Sequence, residues 1–203
     1  MRQALLPSAV FVLLFLGLMF LLLLHRTIVP DQEVSTFFSG LPPGLYFFFA
    51  ILCRSGNVEI ELPLLLAAGS FLWLRHKEER SHLVIFLALL VLGTLLEHFL
   101  KMDLPRYSPS KIFQHDPLSG WEIFFPAHFH VISSFPSGHA FRALLILVFV
   151  DRYFPHLRLP VLFWALFIMA GVVALGWHWS SDVVGSALLV LAIRPWIDAW
   201  EKR

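Results

Sequence analysis

Three short stretches of this chain carry side chains that can do chemistry. In "SSFPSGHAFRALL", residues 133 to 145, Pro136, Ser137, Gly138 and His139 stand just before a long apolar run. Pro136 suits a first helical turn, where its missing N–H would be unpaired anyway. Gly138 lets backbone approach a ligand closely. The free N–H groups of such a turn form an anion site, with the Ser137 hydroxyl as a further donor and His139 beside the anion. The same tetrapeptide also reads as a plain helix start with His139 wetted at an interface.

The second stretch is "HWSSD", 178 to 182. His178 and Asp182 are four apart and, if they open the last helix, share one face. The carboxylate then fixes the imidazole tautomer and leaves the other ring nitrogen as nucleophile or base. Trp177 and Trp179, on either side of His178, also read as an interfacial aromatic belt.

"LKMDLPRYSPSK", 100 to 111, is the third. A guanidinium clamps phosphate bidentately where lysine offers a point charge. Lys101 and Lys111, taken singly, read as headgroup contacts. Arg106 sits in stiffer chain between Pro105 and the Ser108–Pro109 pair and reads as a phosphate ligand. Arg142, three residues after His139, points to the same side of its helix. An arginine inside an apolar span is a functional hypothesis by default, with snorkelling to the surface as the alternative.

The elements that must position these groups are membrane helices. The chain of 203 residues is 58% hydrophobic and 14% charged, whereas an ordinary soluble domain carries roughly 45–50% apolar and about 25% charged residues. A net charge of +1 leaves no nucleic-acid footprint, and the single Cys53 leaves neither a disulfide framework within the chain nor a Cys-rich metal site. Against a bilayer that needs about 20 mostly apolar residues per helix, the apolar runs 4–24, 61–74, 82–100, 139–154, 159–177 and 183–200 predict an all-α bundle of six transmembrane helices forming one membrane domain over 1–203. The run 4–24 reads as an anchor rather than a signal peptide. "LYFFFAIL", 45 to 52, is too short to span and reads as interfacial or re-entrant.

Basic residues near span ends set the orientation. With both termini cytoplasmic, that side holds Arg2, Arg75, Lys77, Arg80, Arg152, Arg158, Arg194, Lys202 and Arg203, against Arg26, Arg54, Lys101, Arg106 and Lys111 outside. The three motif segments, around 101–111, 136–142 and 176–182, then share the outer face.

In this order and between these spans the three segments resemble the type-2 phosphatidic acid phosphatase family. Its signature is Lys, six residues, Arg-Pro; then Pro-Ser-Gly-His; then Ser-Arg, five residues, His, three residues, Asp. The resemblance covers residues from about 57 to 195, and Pro136 to His139, Gly176, His178, Trp179 and Asp182 match as they stand. It implies that His178 attacks phosphorus and becomes a phosphohistidine, that Asp182 orients it, and that His139 protonates the leaving oxygen. Arg106, Ser137 and the Gly138 amide would hold the phosphoryl oxygens. The chain departs from the pattern where only four residues separate Lys101 from Arg106, where Tyr107 replaces the Pro, and where Gly171 and Val172 replace Ser-Arg. Arg142 is the candidate replacement for the missing clamp.

Within the family, "RYSPS" resembles the Arg-x-Ser-Pro-Thr stretch of the lipid A phosphotransferases, which move phosphate from undecaprenyl diphosphate to lipid A. That subgroup carries Pro-Gly-Asp-His and keeps the Arg that Val172 replaces. The resemblance therefore implies a lipid-phosphate phosphatase, acting on an isoprenoid or glycero-lipid phosphate or diphosphate. It would work without a cofactor at the periplasmic face of a bacterial inner membrane, with the phosphotransferase as alternative. Two further readings are a metal transporter or metalloenzyme using His115, His128, His130, His139 and His178, for which the signal is weak, and a purely structural membrane protein.

Overall fold

The computed structural model of the chain describes residues 2–75, 77, 80–104, 106–119 and 133–200. His128 and His130, Pro105, and the terminal Lys202 and Arg203 lie outside the described residues. Among those described, the regular structure is helical throughout, in the order α1 (Arg2–Leu23), α2 (Ile28–Ser39), α3 (Pro43–Ser55), α4 (Val58–Arg75), α5 (Arg80–Asp103), α6 (Gly138–Tyr153), α7 (Arg158–Ala174) and α8 (Ser180–Trp200).

A helix lies at each of the six places the apolar runs predict, but the helices are not equal. Among the described residues four segments are long and apolar enough to cross a membrane, Leu5–Leu23, Arg80–Met102, Pro155–Ala174 and Ser180–Asp198; a fifth is reached if α2 and α3, bent by 114° at their junction, count as one broken span. The other two expected spans fall short for physical reasons. α6 has 16 residues, about 24 Å at 1.5 Å per residue, and carries His139, Arg142, Asp151 and Arg152. α4 has 18 residues with Glu59, Glu61 and Arg75. α2 has no counterpart in the expected plan, and the short 45–52 run is the middle of α3.

α6 is the central element. Phe141, Leu145 and Phe149 pack against Leu65 and Leu72 of α4, Leu83, Phe86 and Leu90 of α5, and Val190 of α8. On its other side Ala140 and Ala143 meet Phe49 and Cys53 of α3 and Ala165, Ile168 and Val172 of α7. A short helix with polar residues survives here because protein, not lipid, surrounds it. The outer helices show the opposite pattern, with Leu6, Leu64 and Leu74 at 65–76% exposure, a face that suits acyl chains.

α1 runs antiparallel to α8. The buried Ser8 hydroxyl near the start of α1 donates to the Ala192 carbonyl late in α8 at 2.8 Å. The C-terminal ends of α1, α5 and α7 therefore gather with the N-terminal ends of α6 and α8 at one end of the bundle. All three motif segments lie at that end.

Candidate active site

The corner at 176–182 is shaped by the end of α7. Gly176 has φ +71, and a Cβ there would run into the Phe113 carbonyl; glycine meets both constraints. The chain then turns back so that the N–H groups of Trp177 and His178 both donate to the Val172 carbonyl, at 2.9 and 3.1 Å. α8 begins at Ser180, so His178 stands before the helix rather than on its first turn. Asp182 is the third helical residue, and its Oδ2 accepts from the Trp179 N–H at 2.8 Å, the reach-back half of a capping box. His178 Nδ1 lies 3.6 Å from the same Oδ2. That is beyond a hydrogen bond but within the loosening that sites without substrate show.

α6 begins at Gly138, with Ser137 as its cap and Pro136 outside the helix. The Ser137 Oγ accepts from the Ala140 N–H at 3.4 Å. The Ser137 N–H donates to the Asp182 carbonyl at 3.2 Å, and the Ser186 hydroxyl lies within donating distance of the carbonyls of Ser137 (2.7 Å) and Asp182 (3.0 Å). These bonds staple two helix N-termini together, and both direct first-turn N–H groups and the positive end of a dipole to one place. The rings of His139 and His178 are 6.4 Å apart there. His139 Nε2 is 3.0 Å from Asn57 Oδ1 at the start of α4.

Each basic side chain of the site meets protein carboxylates. Arg106 donates from Nε to Asp182 Oδ1 at 2.9 Å, from Nη1 to Thr27 Oγ1 at 3.1 Å, and from Nη2 to Ser181 and Asp31. Its guanidinium also lies 5.9 Å from the Trp179 ring centre. Lys101 Nζ bonds Glu97 Oε1 at 2.6 Å. Arg142 bonds Glu61 at 2.7 Å and the Gly56 carbonyl at 3.3 Å, and its Nη1 is 3.9 Å from Glu97. The Glu97 carboxylate rests where a side chain on Gly138 would be. It faces the α6 N-terminus, where negative charge is favoured. Lys111 is exposed. His115 bonds Ser39 Oγ at 3.1 Å and packs on the Tyr46 ring.

Residues 82–202 match the model of the PAP2 superfamily. The chain belongs to that superfamily. Among solved structures, this PAP2 chain is similar to the "first transmembrane PAP2 type phosphatidylglycerolphosphate phosphatase from Bacillus subtilis", with a TM-score of 0.77, 21% identity, and coverage of 97% of this chain and 96% of that one. The fold is thus that of a PAP2-type membrane phosphatase, in a multi-pass membrane protein. No curated protein matches the sequence.

Sequence reasoning missed several polar residues that this PAP2 chain brings to the site. Asp31, 2% exposed, accepts from Arg106, from Ser180 Oγ, and from Ser181 through both N–H and Oγ. Glu61 and Glu97 hold Arg142 and Lys101, and Asn57 holds His139. A signal existed for the two glutamates, because both lie in or beside apolar runs, where an ionisable residue needs a reason. The same rule had singled out Arg142 alone. Nothing in the spacing of Asp31 or Asn57 points across the chain to its partner. Val172, at the position of the family's arginine, is fully buried beside Cys53, Ile168 and Leu175.

Proposed function

We propose that this PAP2 protein is a membrane lipid-phosphate phosphatase. The substrate is an isoprenoid or glycero-lipid phosphate or diphosphate, a class that includes the substrate named for the Bacillus subtilis neighbour, and the site opens on the outer face of the membrane. The observation that carries this reading is the convergence of two imidazoles, 6.4 Å apart, on a pair of stapled helix N-termini.

The geometry supports a division of labour. Asp182 faces Nδ1 of His178, so Nε2 is the nitrogen left to attack phosphorus. As the P–N bond forms, the bond to the lipid oxygen breaks, and the His139 imidazolium gives that oxygen its proton. Water then attacks the phosphohistidine and hands a proton to His139, the P–N bond breaks, and inorganic phosphate leaves. A nucleophile about 3–3.5 Å from phosphorus and an acid about 2.6–3.2 Å from the leaving oxygen bracket one phosphoryl group on the scale of the His139–His178 pair.

The first-turn amides of α6, Gly138 among them, with Ser137 at the cap, receive the equatorial oxygens, where charge must be met. Arg106, bonded to Asp182 and Asp31, adds positive charge behind Asp182 and would contact phosphate only by giving up one of these partners. Lys101 and Arg142 reach phosphate only if Glu97 yields its place, because Lys101 is bound to that carboxylate and Arg142 lies between it and Glu61. No step calls on a metal, so turnover is expected to survive EDTA.

Purified protein given labelled undecaprenyl diphosphate, with and without lipid A, tests the reading. Label released as inorganic phosphate is expected, and lost in His178→Ala. Label appearing only on lipid A would make the protein a phosphotransferase, and undiminished release by His178→Ala would remove the assigned nucleophile.

A further inference from the structure

Among the described residues the cations of the site meet four buried carboxylates, Asp31, Glu61, Glu97 and Asp182, and these are held in two ways. Asp31 accepts from the Ser181 N–H and from the Ser180 and Ser181 hydroxyls besides Arg106, and Asp182 accepts from the Trp179 N–H besides Arg106. Both would stay in place if the guanidinium moved. Glu61 and Glu97, by contrast, are held by cations alone. Glu61 takes Arg142 at 2.7 Å with Oε2, and its buried Oε1 has no partner. Glu97 takes Lys101 at 2.6 Å and stands 3.9 Å from Arg142.

Of these last two, Glu97 is the one in contact with the start of α6. Its carboxyl group fills the space of a side chain on Gly138, the first residue of that helix, at the end where N–H groups lack intrahelical partners. A carboxylate between a lysine, an arginine and a helix N-terminus has the surroundings of a bound phosphate. It also lies in an apolar span, where a charge is costly and needs a function. If Glu97 left, Arg142 would keep Glu61, whereas Lys101 would have no second carboxylate. The charge that Glu97 withholds is therefore that of Lys101.

We propose that Glu97 is a resident anion of the phosphate site: between turnovers its carboxylate neutralises Lys101 at the start of α6, and a phosphate dianion must displace it. The inference rests on the phosphatase reading above. Displacement is by the lipid-borne phosphate on the way in and by inorganic phosphate on the way back. Two anions beside one lysine oppose each other, so the carboxylate weakens the binding of substrate and product alike. Such uniform weakening raises KM and leaves kcat unharmed, and it speeds the loss of product.

The opposite role for Glu97, holding Lys101 in position to clamp phosphate, predicts the opposite sign, which makes affinity the deciding measurement. Full-length wild type, Glu97→Gln and Glu97→Ala in detergent are titrated with inorganic phosphate at constant ionic strength, with thermal unfolding as the readout, and are assayed on dioctanoyl phosphatidic acid. Both variants are expected to bind inorganic phosphate about tenfold more tightly, within the usual span of a coupling between two groups, and KM should fall by a similar factor while kcat does not rise. Tightening toward only one of the two ligands would name substrate or product as the displacing phosphate and uphold the competition. Glu97→Ala decides the matter if Glu97→Gln does not fold. Adding Lys101→Met to either variant should return the affinity to about the wild-type level, because the charge that was unmasked is then gone. Weaker phosphate binding with a higher KM, or no change in either, overturns the inference in an enzyme that remains active. A wild type that releases phosphate from neither phosphatidic acid nor undecaprenyl diphosphate overturns the phosphatase reading and the inference with it.

Discussion

Arg106 Nε lies 2.9 Å from Asp182 Oδ1, and this ion pair joins the loop after α5 to the first turn of α8. The other carboxylate oxygen of Asp182 takes the Trp179 N–H and faces His178. The group assigned to orient the nucleophile is therefore itself oriented, from one side by a guanidinium and from the other by its own helix. Arg106 in turn is shared with Asp31, which reaches Ser180 and Ser181.

This arrangement separates two aspartates that both pair with Arg106. Asp31→Asn and Asp182→Asn each weaken a buried charged hydrogen bond to Arg106, so each is expected to lower stability by about 1.5–3 kcal/mol. Only Asp182 faces His178, so only Asp182→Asn should also lose turnover by a factor on the order of 10⁴, as a wrongly held imidazole does. Thermal unfolding and kcat on the same two preparations make the comparison. Equal rate losses at equal destabilisation would deny Asp182 its part in orienting His178.

Gly138 and Glu97 form a second testable pair. A Cβ on Gly138 would collide with the carboxyl group of Glu97, which Lys101 holds at 2.6 Å. Gly138→Ala is expected to cost about 1–3 kcal/mol through overpacking. The cost should shrink in a Glu97→Ala background, with a coupling of about 0.5–3 kcal/mol in the double-mutant cycle. Strict additivity would mean the carboxylate moves aside freely.

The all-helical fold was legible in the sequence wherever a helix announces itself by a continuous apolar run, as α1, α5, α7 and α8 do. α2 was not, because "TIVPDQEVSTFF" is mixed in polarity. Its cues are local: Pro30 and Asp31 in the first turn and Gly40 after the last. The motif histidines, Asp182 and Arg106 stood out because each belongs to a patterned stretch. Asn57, Asp31 and Glu61 did not, because each matters through a partner far away in the chain; Glu97 was missed although its partner Lys101 is one helical turn on. Arg142 was noticed but not its partners, and the ion pair with Glu61 is what turns an arginine in a span from an anomaly into a bolt.

The bundle also makes a topological prediction. α5 has 24 residues, about 36 Å of helix, and separates Lys77 before it from Lys111 after it. Both lysines are exposed, and the chain's one cysteine, Cys53, is buried. Lys77→Cys and Lys111→Cys, made separately, are expected to react with an impermeant maleimide from opposite sides of the membrane in intact cells and inverted vesicles. Lys111→Cys should be the one labelled from outside. Labelling of both from one side would contradict the crossing by α5 and the outer placement of the site.

The central claim is that His178 carries the phosphoryl group, and trapping that group tests it most directly. Wild-type protein incubated briefly with ³²P-labelled lipid phosphate and denatured in alkali should retain label that is lost in mild acid, the behaviour of a phosphoramidate. His139→Ala should still acquire some label, most readily from a substrate with a good leaving group, whereas His178→Ala should acquire none. Acid-labile label persisting in His178→Ala, or its absence from a wild type that turns over the same substrate, would contradict the account.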